Sequence, residues 1–276
     1  MPAEIWIHVD SADGMLEHEL RRRFPAVRVL TSPVQLGPGG GRHRCLLACR
    51  APYAVSFDDD SYPVDTDFFS TVERLYSRHP EAAIFGTSIW HRHEPAKMRT
   101  ENVVLMPSYM GCGHAIRLAA YQKTRGYLSR PQAYGMEESD LSLQLFAAGW
   151  SIYEAGELRV FHDTDLKHHQ SPEVTAGAIA NVGLYAFLNY PIRGWGRGLL
   201  QLANKVAYCI RKGRIRGILS GILRIPVDCY RNRQHRQPIA WKTVKKFLEF
   251  RKTGLAWHRS GEYSWSDCDS ASKSRP

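Results

Sequence analysis

Over the first half of the chain, short apolar runs of strand type alternate with segments whose apolar residues recur at helical spacing. Glu4–Val9 and Val27–Leu30 predict strands, Met15–Arg23 predicts a helix, and Gly41–Cys49 predicts a helix entered through a glycine-rich turn. Ala54–Phe57 predicts a third strand, Phe68–Ser77 a helix, and Ala82–Gly86 and Val103–Met106 two further short strands. Such alternation implies an α/β domain with a mainly parallel sheet covered by helices on both faces. Past residue 190 the pattern changes. Leu199, Leu202, Val206 and Ile210 repeat at helical spacing, as do Ile215, Ile218, Leu219 and Ile222, with Lys205, Arg211, Lys212, Arg214, Arg216 and Arg224 among them. These segments predict basic amphipathic helices, and the glycines at 213, 217 and 221 weaken any single long one.

Composition narrows the class. With 276 residues and 43% hydrophobic content, the chain can bury a full core, which excludes a disordered protein. None of the six cysteines forms a C-x-x-C pair, so neither a zinc ribbon nor a redox pair is indicated. No secretory leader precedes them, and reduced thiols in a cytosolic setting are expected. The absence of a run of about 18 uncharged apolar residues argues against a conventional membrane span. The net charge of +10 is unevenly placed: residues 1–190 carry 18 Lys and Arg against 22 Asp and Glu, whereas 191–252 carry 16 against 2. The charge break near Pro191 divides the chain into a first domain (1–190), a basic amphipathic helical extension (191–252) and a polar tail (253–276) expected to be disordered. Nucleic acid is not an expected partner, because the positive charge avoids the acidic first part and no nucleic-acid motif occurs. An anionic membrane surface suits the basic helices better.

The candidate chemistry begins at Asp58-Asp59-Asp60, directly after a strand-type run. A strand's carboxyl end is where α/β sheets bind ligands, and oxygen donors there suit Mg²⁺ or Mn²⁺, whose shells are completed by substrate phosphates. A solvated acidic turn before the helix near Asp67 is the competing reading of these three residues alone. Arg42 stands where the glycine-rich turn opens into a helix, a position that favours anions. Glu137, Glu138 and Asp140 fit an acidic first turn of a helix over Leu141–Ala148.

Taken together, these motifs resemble a known family. Gly37-Pro-Gly-Gly-Gly-Arg42-His-Arg44, the run from Ala48 to Asp60, Gly111-Cys-Gly-His-Ala-Ile-Arg117 and Tyr134-Gly-Met-Glu137-Glu138-Ser-Asp140-Leu-Ser-Leu are similar, in order and spacing, to the core of family 2 glycosyltransferases with the GT-A fold. The resemblance covers roughly residues 4–165 and implies a mixed Rossmann-like sheet that handles a nucleotide-diphosphate sugar with Mg²⁺ or Mn²⁺. It implies that Asp60 ligates the cation, that Asp58 reaches the ribose or the metal shell, and that His162 lies near metal and diphosphate, with His168 and His169 as rivals. It likewise assigns Asp10, Asp13, Arg42, Asp58 and Asp59 to the nucleotide. Glu138 takes the general-base position, where aspartate is usual, with Glu137 and Asp140 as neighbours that would otherwise serve. A single activated hydroxyl attacking in line implies inversion at the anomeric carbon. The expected acceptor is a glycan or lipid-linked glycan at the inner face of the membrane, in cell-surface polysaccharide synthesis. One departure stands out: family members place a strand and a helix before the segment corresponding to Glu4–Val9. Its absence here points to a truncated or misplaced start and to two open strand edges. A catalytically inactive relative acting as a scaffold or glycan-binding protein is the competing class, against which the acids at 58, 60 and 138 argue.

Overall fold

The expected elements form, with bounds shifted by a few residues, in a computed structural model that describes residues 2–10, 13–131, 136–164 and 171–253. The first part runs β1 (Ile5–Val9), α1 (Gly14–Arg23), β2 (Val27–Thr31), α2 (Gly37–Ala48) and β3 (Tyr53–Phe57). It continues through β4 (Ser61–Pro63), α3 (Phe68–Arg78), β5 (Ala82–His91), β6 (Val103–Leu105), β7 (Gly113–Arg117), α4 (Leu118–Tyr121), α5 (Glu137–Ala147) and β8 (Ser151–His162). Among the described residues four α-helices follow: α6 (Pro172–Asn189), α7 (Trp195–Arg211), α8 (Ile218–Arg231) and α9 (Trp241–Thr253). Helix α2 begins four residues before the expected start, so the glycine-rich run is itself the helix's first turn, with Pro38 at its head.

The sheet corrects the mainly parallel expectation. Among the described residues β1 and β2 form a parallel pair by themselves, while a six-stranded sheet has the order β3-β7-β5-β8-β4 with β6 also on β8. In that larger sheet only β5 and β8 are parallel; β3–β7, β5–β7, β4–β8 and β6–β8 are antiparallel. Strict strand–helix alternation holds only as far as β3. Beyond it β4, β6 and β7 are short strands reached without a long helical crossover, and a parallel pairing needs such a crossover.

Two apolar layers clamp the larger sheet. On one face Leu46 of α2, Tyr121 of α4 and Leu141 and Leu145 of α5 pack on Ile84, Ile116 and Ile152. On the other, Phe68, Val72, Leu75 and Tyr76 of α3 pack on Phe85, Ala115, Leu158 and Val160. A third cluster joins α5 to the helices outside it, through Leu143, Leu184, Leu188, Val244 and Phe247. The charge break at Pro191 therefore falls inside a helical layer, because α6 packs against both α7 and α8. Gly221 lets α8 approach α6 closely: a Cβ there would lie 2.7 Å from the Ala176 carbonyl oxygen. Gly217, at φ +94°, starts α8 in a conformation that favours glycine. The tail from residue 254 lies outside the described residues.

Candidate active site

Strand β3 ends at Phe57 and delivers Asp58 into a tight turn. The Asp58 amide donates to Ser61 Oγ at 2.8 Å, and the Ser61 amide donates to the Asp58 carbonyl at 3.1 Å. The chain then pairs with the end of β8, Ser61 opposite His162, and the Asp163 amide donates to the Asp60 carbonyl at 2.8 Å. This register carries His162 across the sequence to Asp60, Nε2 to Oδ1 at 3.1 Å. Asp58, Asp60 and His162 each offer a donor atom within 4.8 Å of the others'. Two carboxylates and an imidazole in that arrangement fit a divalent cation, and the buried Nδ1 of His162 has no hydrogen-bond partner among the described residues. Asp59 is exposed at the tip of the turn. His168 and His169 lie outside the described residues.

Arg42, in α2, projects into the same place. Its side chain is buried and forms an ion pair with Asp58. Burial alone would weaken its charge, but Asp58, with Tyr127 and Glu138, outweighs it and holds the guanidinium firmly protonated. Gly111 explains how Glu138 comes close. A Cβ at Gly111 would stand 2.2 Å from Glu138 Oε1 and 3.3 Å from both terminal nitrogens of Arg42, so the glycine leaves the space across which carboxylate and guanidinium face each other.

Glu138 is the acid whose environment suits proton transfer. Burial, and then the neighbouring Glu137 carboxylate, push its pKa up to about 7 against the pull of Arg42. Glu137 is buried and accepts a hydrogen bond from the Met136 amide at 3.0 Å. Asp140 points elsewhere. It pairs with the buried guanidinium of Arg125 and accepts from Asn189 Nδ2 at 2.7 Å and Gln144 Nε2 at 3.0 Å, joining α5 to α6. The structure thus gives Asp140 a bracing role and does not bring it to Arg42 or the cation group. Asp10 and Asp13 are also engaged in capping. Asp10 accepts from the Leu36 and Gly37 amides at 2.6 and 2.8 Å, at the start of α2. Asp13 accepts from the Met15 and Leu16 amides at the start of α1.

Residues not singled out from the sequence stand behind Arg42 and Glu138. Tyr109 and Tyr127 share a hydrogen bond at 2.5 Å, Tyr127 Oη lies 3.2 Å from His114 Nε2, and His114 Nδ1 lies 3.2 Å from the Gly111 carbonyl oxygen. Burial, assisted by Arg42, lowers the His114 pKa to about 3 and keeps the ring neutral. The signal for Gly111 and His114 was present, since both lie in the Gly-Cys-Gly-His run; nothing local marks Tyr109 or Tyr127. Arg130 pairs with Asp228 of α8 at 2.7 Å, which ties the segment after Tyr127 to the outer helices.

No family model and no curated protein matches this chain. Solved structures do. GalNAc-T7, solved with UDP, GalNAc and Mn²⁺, aligns over 67% of this chain with a TM-score of 0.51 at 13% identity. The chain has a GT-A fold. It spans 43% of the length of GalNAc-T7. S. aureus TarS 1–349 in complex with UDP-GlcNAc aligns over 95% of this chain and 90% of that 1–349 portion (TM-score 0.48, 12% identity). The mannosyltransferase PcManGT from Pyrobaculum calidifontis, with GDP-Man and Mn²⁺, aligns over 91% and 71% (TM-score 0.48, 10% identity). In this GT-A chain the acid–acid–histidine group lies at the carboxyl end of β3, beside Arg42 and Glu138.

Proposed function

We propose that this protein is a cation-dependent, inverting glycosyltransferase of family 2 type that moves a sugar from a nucleotide-diphosphate donor to a glycan or lipid-linked acceptor in cell-surface polysaccharide synthesis. The observation that carries this reading is the meeting of two chemistries across Arg42: a three-donor cation group on one side and, on the other, a carboxyl group with a pKa near 7. The Mn²⁺ and UDP bound by GalNAc-T7, which has the same fold, support a divalent cation and a nucleotide here. Asp58, Asp60 and His162 would hold the cation, which supplies charge stabilisation for the departing diphosphate. Arg42, paired with Asp58, would add a fixed positive charge beside that group. Glu138 takes the proton of the attacking acceptor hydroxyl, and a base with a pKa near the working pH suits that task. One attack by one activated hydroxyl inverts the anomeric centre. Calorimetric titration with UDP- and GDP-sugars, with and without Mn²⁺, tests the donor site: binding that needs Mn²⁺ and is lost in Asp60→Ala is expected. No binding by the folded wild type would sink the proposal. NMR of the first-formed product tests the stereochemistry, and a retained configuration would exclude the single displacement.

The proposed place of action is the inner membrane surface. No helix among the described residues is long and apolar enough to cross a membrane. Yet α7, α8 and their connection expose Leu199, Ile210, Ile215, Leu219, Leu223 and Tyr230, within a segment whose basic side chains outnumber acidic ones 16 to 2. Apolar side chains among basic ones are the features of a helix lying in an anionic lipid interface. Flotation with vesicles tests this. Recovery should rise on adding phosphatidylglycerol to phosphatidylcholine and fall with salt; equal recovery on both would remove the electrostatic anchor.

A further inference from the structure

Arg42 occupies a position with two contradictory consequences. Its buried guanidinium already neutralises Asp58, one of the three cation donors, and its Nε has no hydrogen-bond partner among the described residues. A divalent cation held by Asp58, Asp60 and His162 would therefore sit close to a fixed like charge that cannot be shed by deprotonation. Glu138 lies on the other side of the same guanidinium, close to the space that Gly111 leaves open, so Arg42 has a carboxylate near it on both sides. A diphosphate changes the sign of the problem. Its oxygens give the cation the ligands it lacks and give Arg42 an anionic partner other than Asp58.

We propose that Arg42 couples cation and donor binding: without a diphosphate it holds the affinity of the Asp58–Asp60–His162 group for a cation low, and with one it makes the two ligands bind cooperatively. The inference rests on the cation site of the proposed function and adds its regulation. Its physical content is that the enzyme avoids filling the site with a cation that has no substrate to act on. Because coupling is reciprocal, the factor by which nucleotide tightens the cation must equal the factor by which the cation tightens nucleotide.

The test is Mn²⁺ binding, followed by the EPR signal of free Mn²⁺, to wild type, Arg42→Gln and Arg42→Lys, with and without UDP or GDP and corrected for Mn²⁺ held by free nucleotide. For wild type, weak binding of Mn²⁺ alone and at least about tenfold tightening by one of the nucleotides are expected. Arg42→Gln should bind Mn²⁺ alone about tenfold more tightly, since a like charge near the site is removed, and its coupling should fall to a few-fold. Arg42→Lys keeps the charge and should keep the wild-type pattern. Unchanged or weaker binding of Mn²⁺ alone by folded Arg42→Gln overturns the inference while leaving the donor site intact. Should Arg42→Gln fail to fold, the wild type still decides: less than threefold coupling measured from either ligand rejects it. Absence of Mn²⁺ binding with every nucleotide is a separate result, and it removes the cation site itself.

Discussion

On the first turn of α5, Glu138 and Asp140 stand two residues apart and face different chemistry. Two residues along a helix is a rotation of about 200°, so one side chain turns toward Arg42 and Gly111 while the other turns toward α6. Asp140 meets a buried guanidinium, an asparagine and a glutamine that satisfy it from several directions. Glu138 meets burial, a second carboxylate and a guanidinium already engaged by Asp58. Two acids from one motif therefore separate into a brace and a candidate base. The comparison teaches that acidity is assigned by what each face of the helix touches, and that the motif alone cannot divide the roles.

The largest effect expected from breaking this comparison is on Glu138. Replacing it by Gln should lower kcat by about 10²- to 10⁴-fold, the range for a lost general base, with little change in the denaturation midpoint at about pH 5. Asp140 should give the reverse. Asp140→Ala leaves the buried Arg125 without its carboxylate, with only Asn189 Oδ1 still accepting from it among the described residues, and should cost about 3–5 kcal/mol of stability, read by urea denaturation; a stable variant with lost turnover would return Asp140 to the catalytic group. Gly111→Ala should follow, because its new Cβ must displace the Glu138 carboxylate: a loss of about 100-fold in kcat is the scale for a misplacement of about 1 Å.

A smaller, graded effect comes from pH. The Glu138 pKa is raised to about 7, so the base form accumulates as pH rises through that value, and kcat/KM should fall about tenfold per pH unit below it. The linkage has the opposite sign for stability. A carboxyl whose folded pKa lies above its unfolded value stabilises the fold at low pH, and that contribution is lost as pH rises toward and through about 7. Glu138→Gln should flatten that decline in a series of melts between pH 5 and 8. Smallest of all is Asp13→Ala, which removes a helix cap and should cost about 1 kcal/mol without changing nucleotide binding. A selective loss of nucleotide affinity would instead give Asp13 the ligand role that the family resemblance implies.

Much of this was legible in the sequence where the signal is local. The strand that delivers Asp58, the helix that follows Glu137 and the apolar faces of α3 and α5 all follow from side-chain period. The Asp13 cap is readable in the same way, as an acid just before an apolar-periodic segment. The Asp10 cap is not, because its partners lie 26 and 27 residues away. Nor did spacing reveal the antiparallel order of the larger sheet, which depends on how short strands return to the existing edges.

By itself the sequence determined the strand–helix alternation as far as β3, the acids at the end of β3, the acidic first turn of α5 and the basic character of residues 191–252, since each depends on residue type and local period. Only the tertiary structure decided which of those acids meet. Pairing of β4 with β8 carries His162 to Asp60 across 102 positions of sequence, packing of α2 against β1 and, through Leu46, against the larger sheet brings Arg42 to Asp58, and an absent side chain at Gly111 lets Glu138 approach Arg42. The physical reason is that register, close packing and the sharing of one buried charge are properties of juxtaposed segments, and no single segment contains them.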